Sequence, residues 1–206
     1  ENNHIVLQTT DSVSPEGVFD PENLILKNLT LKADNLIFKP SNSSLSLKEI
    51  SFEERSSFRL QKLAFDLQVD DRQTSMTNLV LATNSNALEG EFDMTYESIG
   101  ALINNPDATT MRVNLPKIQL DIKEAYVFNP DIRSNEYVQA FTQNKLTGAA
   151  LVSGKLDDLE VTKLDLKWGS RTELNIEANI QNALDPDMLR FNVKQLNAGT
   201  QKSDIT

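Results

Sequence analysis

Apolar residues recur along this chain in one spacing: a pair two positions apart, a step of three, then a second pair two apart. The spacing begins at Leu24 (with Leu26, Leu29, Leu31), Leu45 (Leu47, Ile50, Phe52) and Phe58 (Leu60, Leu63, Phe65). It returns at Val113 (Leu115, Ile118, Leu120), Leu159 (Val161, Leu164, Leu166) and Phe191 (Val193, Leu196, Ala198). Six statements in 206 residues make an internal repeat. On a helix, at about 100° per residue, the four positions fall near 0°, 200°, 140° and 340°, on opposite sides, so a helix is disfavoured. On a strand each pair shares a face, but the step of three sends the second pair to the other face unless the chain bulges between them. The pattern therefore predicts long strands bent at Lys27-Asn28, Lys48-Glu49, Gln61-Lys62, Pro116-Lys117, Thr162-Lys163 and Lys194-Gln195, with both pairs facing one cavity. The competing reading is a two-faced strand in an ordinary sandwich.

Polar turns cut the chain into strands over 24–38, 45–52, 58–69, 74–82, 88–96, 145–156, 159–168, 172–180 and 189–198, besides the repeat at 113–120. Short strands joined by polar turns point to a largely antiparallel meander. Two stretches interrupt it. Residues 97–104 place Ile99, Leu102 and Ile103 at helical spacing and stop at Asn105-Pro106; residues 123–128 and 135–141 read as further helical turns. Such turns cover the edge or end of a sheet. The expected fold is mainly β: a long, curved, largely antiparallel, taco-shaped sheet with an open groove and two or three short helices. It forms a single unit over 1–206, with a loosely structured N-terminal stretch (1–23), a first strand group (24–96), helical turns with one strand hairpin (97–144) and a second strand group (145–198).

Charge narrows the partners. Thirty acidic against twenty basic residues leave a net charge of -10, which opposes nucleic-acid phosphates and an anionic membrane surface. Aromatic residues make up 6% of the chain and do not interleave with Lys or Arg, so base stacking is not indicated. The chain has no cysteine, so it has neither a disulfide framework nor a thiolate metal site. The chain opens on Glu1 and not Met, which suggests a piece of a longer protein.

Enzyme chemistry finds little to work with. His4 is the one histidine, in the least structured stretch, and Asp70-Asp71 and Asp157-Asp158 sit in turns where solvated carboxylates are ordinary. Neither a calcium loop nor a phosphate-binding Gly-rich loop appears. We expect no catalytic residue, no metal and no cofactor. What remains is apolar surface in regular order. Ten to twelve strands at about 4.8 Å would build a trough roughly 50 Å long, and an acyl chain is a suitable guest at about 0.8 kcal/mol per CH₂ buried. The residues assigned to it are Leu45, Leu47, Ile50, Phe52, Leu63, Phe65, Leu67, Leu79, Leu81, Phe92, Met94, Val113, Leu115, Ile118, Leu120, Leu164, Leu166, Trp168, Leu174 and Ile176.

Several stretches resemble, in order, a family already known. They are Ile50-Ser51-Phe52-Glu53-Glu54-Arg55-Ser56-Ser57-Phe58-Arg59-Leu60-Gln61-Lys62-Leu63, Asp71-Arg72-Gln73, Leu79-Val80-Leu81-Ala82-Thr83-Asn84, Tyr96-Glu97-Ser98-Ile99 and Asn105-Pro106. Ile122-Lys123-Glu124-Ala125-Tyr126-Val127-Phe128-Asn129-Pro130, Ser153-Gly154-Lys155-Leu156-Asp157-Asp158-Leu159 and Asn182-Ala183-Leu184-Asp185-Pro186 continue the order. Together they resemble the TamB proteins of Bacteroidota, within the AsmA-like superfamily, over roughly residues 24–196. The resemblance implies an internal, periplasmic fragment of a Gram-negative protein anchored in the inner membrane. It also implies a taco-shaped sheet whose groove carries phospholipid between inner and outer membranes. The alternative it implies is a scaffold or chaperone segment that assists outer-membrane protein assembly with an Omp85-type barrel, contacted through parts of the protein outside this fragment. Open strand edges make self-association of the fragment a further expectation.

Overall fold

A computed structural model describes residues 3–9, 15–39 and 42–200. Pro40 and Ser41, between the strands expected over 24–38 and 45–52, and part of the stretch 1–23 expected to be loosely structured lie outside the described residues. Eleven strands follow one another: β1 His4–Gln8, β2 Asn23–Ile37, β3 Asn42–Glu54, β4 Arg59–Asp70, β5 Gln73–Ala82, β6 Ala87–Thr95, β7 Thr110–Leu120, β8 Leu146–Lys155, β9 Asp158–Trp168, β10 Thr172–Gln181 and β11 Arg190–Gly199. They form one antiparallel sheet in sequence order, each strand hydrogen-bonded to its neighbours in the chain. β1 and β11 are its two edges, so the sheet is open. The fold is mainly β and largely antiparallel, as the spacing predicts, but the sheet is open and uncurled and not folded into the expected taco shape, because each bulge keeps the apolar residues on one face without turning the strand back on itself. The span 97–144 holds a single strand, β7, whose partners β6 and β8 lie outside it, in place of a local hairpin.

Each step of three is a bulge. Leu115 lies opposite Ala150 and Ile118 opposite Gly148, so three steps along β7 match two along β8 and both apolar residues keep one face. The same count applies to Leu47 and Ile50 against Phe65 and Leu63, and to Leu60 and Leu63 against Phe52 and Ile50. It applies again to Val161 and Leu164 against Val152 and Ala150, and to Val193 and Leu196 against Ala178 and Ile176. In β2, Lys27 and Thr30 meet Glu53 and Ser51 on the polar face, which leaves Leu26 and Leu29 on the other. β5 bulges too, between Met76 and Leu79. It is a seventh statement of the repeat, hidden because Thr74 fills its first position. Asn28 and Asn78 take φ of 54° inside their bulges, and Asn35 takes 53° at a second bulge of β2. Asparagine tolerates this left-handed region better than other side chains except glycine.

From β5 onward bulged strands alternate with regular ones, and the regular strands carry small residues beside the bulges. These are Gly90 in β6, Gly148 and Ala150 in β8, and Ala178 in β10. A Cβ on Gly90 would lie 2.5 Å from the Asn114 carbonyl oxygen, and one on Gly148 would overlap the Asp165 carbonyl oxygen. The backbones approach there too closely for any side chain.

The two faces differ completely. One carries cross-strand polar pairs: Lys32 with Glu49 at 2.7 Å, Lys117 with Glu89 at 2.6 Å, Lys167 with Glu173 at 2.7 Å and Lys194 with Glu160 at 2.7 Å. Ser46 and Asn78 donate to the Asp66 carboxylate, and Asn175 donates to Asp165 at 2.8 Å. The opposite face carries the repeat and, among the described residues, has no second layer over it away from the end crossed by residues 121–145. Among the described residues its buried apolar side chains are only Leu47, Leu60, Tyr96, Leu159, Val161 and Ala178. The exposed surface of 13190 Å² exceeds the roughly 9,700 Å² expected of a compact 23.1 kDa monomer by about a third.

Helical segments lie at the strand ends. The β6–β7 connection contains α1 (Ile99–Asn104), which starts where the Ser98 hydroxyl accepts from Ala101 N and stops ahead of Pro106. Tyr96, just after β6, is buried, its hydroxyl donating to the Asp70 carbonyl at 2.9 Å. The β7–β8 connection, at the other end, contains 3-10 turns at Ile122–Val127 and Pro130–Ser134 and the helix α2 (Glu136–Phe141), capped by the Asn135 side chain.

Candidate functional site

The register resolves the apolar face into rows running across the strands. One row passes directly from partner to partner as Leu45, Leu67, Met76, Phe92, Val113, Val152, Val161, Ala178 and Val193, unbroken over β3 to β11. A second passes as Leu31, Ile50, Leu63, Leu81, Leu88, Ile118, Gly148, Leu166, Leu174 and Ala198, over β2 to β11. Ten strand positions at about 4.8 Å make the second row about 45 Å long.

All twenty residues assigned from sequence share this face. Leu45, Leu67, Phe92 and Val113 belong to the first row; Ile50, Leu63, Leu81, Ile118, Leu166 and Leu174 belong to the second. Leu47, Phe65, Leu79, Leu115, Leu164 and Ile176 fall between the rows, Met94 beyond the first, and Phe52, Leu120 and Trp168 beyond the second. Sequence reasoning missed Met76, Leu88, Val152, Val161, Ala178 and the two glycines. Leu159 and Val161 were visible in the repeat itself. Gly148 and Ala150 had no apolar bulk to announce them, and only the register puts them on this face.

The rows are made without charge. The carboxylates whose proton affinity is perturbed lie on the opposite face. The Lys32 ammonium bonded to Glu49 holds that carboxyl below its ordinary range, the Ser46 hydroxyl does the same for Asp66, and the Asn175 amide for Asp165. Among the described residues no three His, Asp or Glu side chains gather to hold a metal ion, and no helix is long and apolar enough to cross a membrane.

One end of the face is crossed by a bar, residues 121–145. Three separate anchors hold it. Phe128 packs between Phe19 and Phe58, with ring centroids 5.2 and 5.1 Å away, and the Val127 carbonyl accepts from Phe19 N at 2.8 Å. The buried Glu124 accepts from the Thr83 hydroxyl at 2.9 Å and from Ser85 N at 3.0 Å, which ties the bar to the β5–β6 turn. The Phe141 ring meets Trp168 edge to face at 5.9 Å, and its carbonyl accepts from the indole Nε1 at 3.2 Å. Between the bar and β8–β10 lies a cavity of about 270 Å³, lined by Ile122, Phe141, Leu146, Leu166, Trp168, Thr172 and Leu174.

No family model, no curated protein and no solved structure matches this chain. The resemblance to the TamB proteins therefore rests on the stretches quoted above.

Proposed function

We propose that this chain is a segment of a periplasm-spanning protein and provides an apolar trough for phospholipid passing between inner and outer membranes. The observation that supports this reading is the pair of unbroken apolar rows on one uncovered face. A sheet meant only to fold would cover such rows with a second layer, because large contiguous apolar surfaces are rare on soluble monomers. Hydrocarbon laid along the rows would gain about 0.8 kcal/mol per CH₂ removed from water. The reaction needs no bond chemistry, and therefore no catalytic group or cofactor. Phospholipid should remain on the purified protein in native mass spectrometry. A lipid-free protein that also takes up no fluorescent acyl probe would overturn the proposal. In the full-length protein Leu67→Asp and Leu120→Asp should block lipid passage, whereas Gln68→Asp on the polar face should not.

A second reading has its own support. β1 and β11 leave strand edges unpaired, and Phe191, Val193 and Leu196 of β11 are exposed. Such an edge can accept a further strand through main-chain hydrogen bonds, as a scaffold beside an Omp85-type barrel would require. Crosslinking from β1 or β11 to nascent outer-membrane strands, with none to lipid from the apolar rows, would select it.

A further inference from the structure

We infer that the cavity under α2 is a discrete site for the terminal segment of an unbranched alkyl tail, a fixed stop beside the open trough. The inference deepens the lipid reading above and rests on it for the source of the tail. Its premises are chemical. The two polar groups on the cavity wall are already engaged: Trp168 Nε1 bonds the Phe141 carbonyl, and the Thr172 hydroxyl shares a hydrogen bond of 2.8 Å with the Thr200 hydroxyl. Nothing on the wall calls for a polar ligand, and a headgroup there would lose its hydration without compensation. The volume, about 270 Å³, is nearly twice the ~150 Å³ of an apolar cavity known to hold benzene, room for the last stretch of a tail and too little for a whole lipid.

Position completes the case. Leu166 and Leu174 are consecutive members of the second row and also wall residues of the cavity, so the trough floor continues into it. Phe141 from the bar forms the roof. A tail following the row is met at this point by Phe141 from the other side, and contact on two sides recovers dispersion contacts that a one-sided surface forfeits.

Trp168 is the only tryptophan of the chain and lies in the wall, so its fluorescence reports occupancy directly. The probes are phosphatidylcholine brominated near the tail terminus, phosphatidylcholine brominated near the carbonyl, and free dodecanoate brominated at its terminus. Terminal bromines should quench Trp168 severalfold more than carbonyl-proximal ones. Leu146→Phe, which fills the cavity, should weaken quenching by terminal bromines about tenfold in probe concentration, the equivalent of roughly two buried methylenes. The depth dependence in the unchanged protein decides the matter even if that variant does not fold. Equal quenching by both bromine positions overturns the inference, and so does phospholipid binding in native mass spectrometry with Trp168 unquenched, which leaves the trough standing. Quenching by brominated dodecanoate with no phospholipid bound supports the cavity while the phospholipid trough fails.

Discussion

The two faces of this sheet share one backbone and have opposite fates. On the polar face, side-chain pairs join β2 to β3, β4 to β5, β6 to β7 and β9 to β10, and Lys194 of β11 reaches Glu160 of β9, so that face is well satisfied in water. Among the described residues the apolar face buries six apolar side chains and leaves the rest partly or largely exposed. Exposed ion pairs contribute little to stability, about 0–1 kcal/mol each, so the weight of the fold falls on the incomplete face. The fold is thus held by the same surface that is free to receive a ligand, and substitutions there should affect stability and binding together.

The largest test of that contrast is a charge placed on each face. Leu47→Asp buries a carboxylate without a partner and should cost about 3–5 kcal/mol in urea unfolding. Gln68→Asp, exposed on the polar face, should change stability by no more than about 0.5 kcal/mol. Similar losses from the two would erase the distinction between the faces. Gly148→Val comes next, because its Cβ would overlap the Asp165 carbonyl and approach Leu166 Cδ2 at 2.9 Å. A loss of about 2–3 kcal/mol is expected, against little change for Gly199→Ala, where the added carbon meets nothing within 4 Å.

Glu124→Ala should cost about 1–2 kcal/mol by stranding the Thr83 hydroxyl and Ser85 N. Its sharper readout is amide exchange, which should quicken over 122–141 while β3 and β4 keep their protection. The smallest effect belongs to the polar face. Asp66 has its proton affinity lowered first by the Ser46 hydroxyl, then by Asn78. A carboxyl whose folded value lies below its ordinary one, near 3.8, contributes stability that is complete above that pH and fades as the pH falls through the lower folded value. Asp66→Asn should lose that small contribution already at neutrality and, with it, part of the fall in stability on acidification below that pH, as followed by circular dichroism against pH.

Much of the architecture was legible along the chain. The repeat disfavoured helices, named the strands together with the polar turns, and located six bulges to within the two residues of each step. It also required both pairs of each repeat to share a face, which the pairing of Leu115 with Ala150 and Ile118 with Gly148 bears out. The helical turns at 99–104 and 136–141 were readable from the spacing of Ile99, Leu102 and Ile103, the Asn105-Pro106 stop and the apolar residues of 135–141; the caps at Ser98 and Asn135 emerged with the structure. Less was legible about the cavity, because its walls come from three strands and from both ends of a connection more than twenty residues long.

Sequence by itself determined which residues share a face, because strand periodicity and the extra residue of a bulge are local properties of the backbone. It could not place one strand's bulge against the next strand's glycine, since register is set by the pairing of whole strands. Nor could it tell that no second layer would form, or that residues 121–145 would reach from Phe58 to Trp168 across one end of the apolar face. Those outcomes depend on contacts between residues far apart in the chain, and only the tertiary structure decided them.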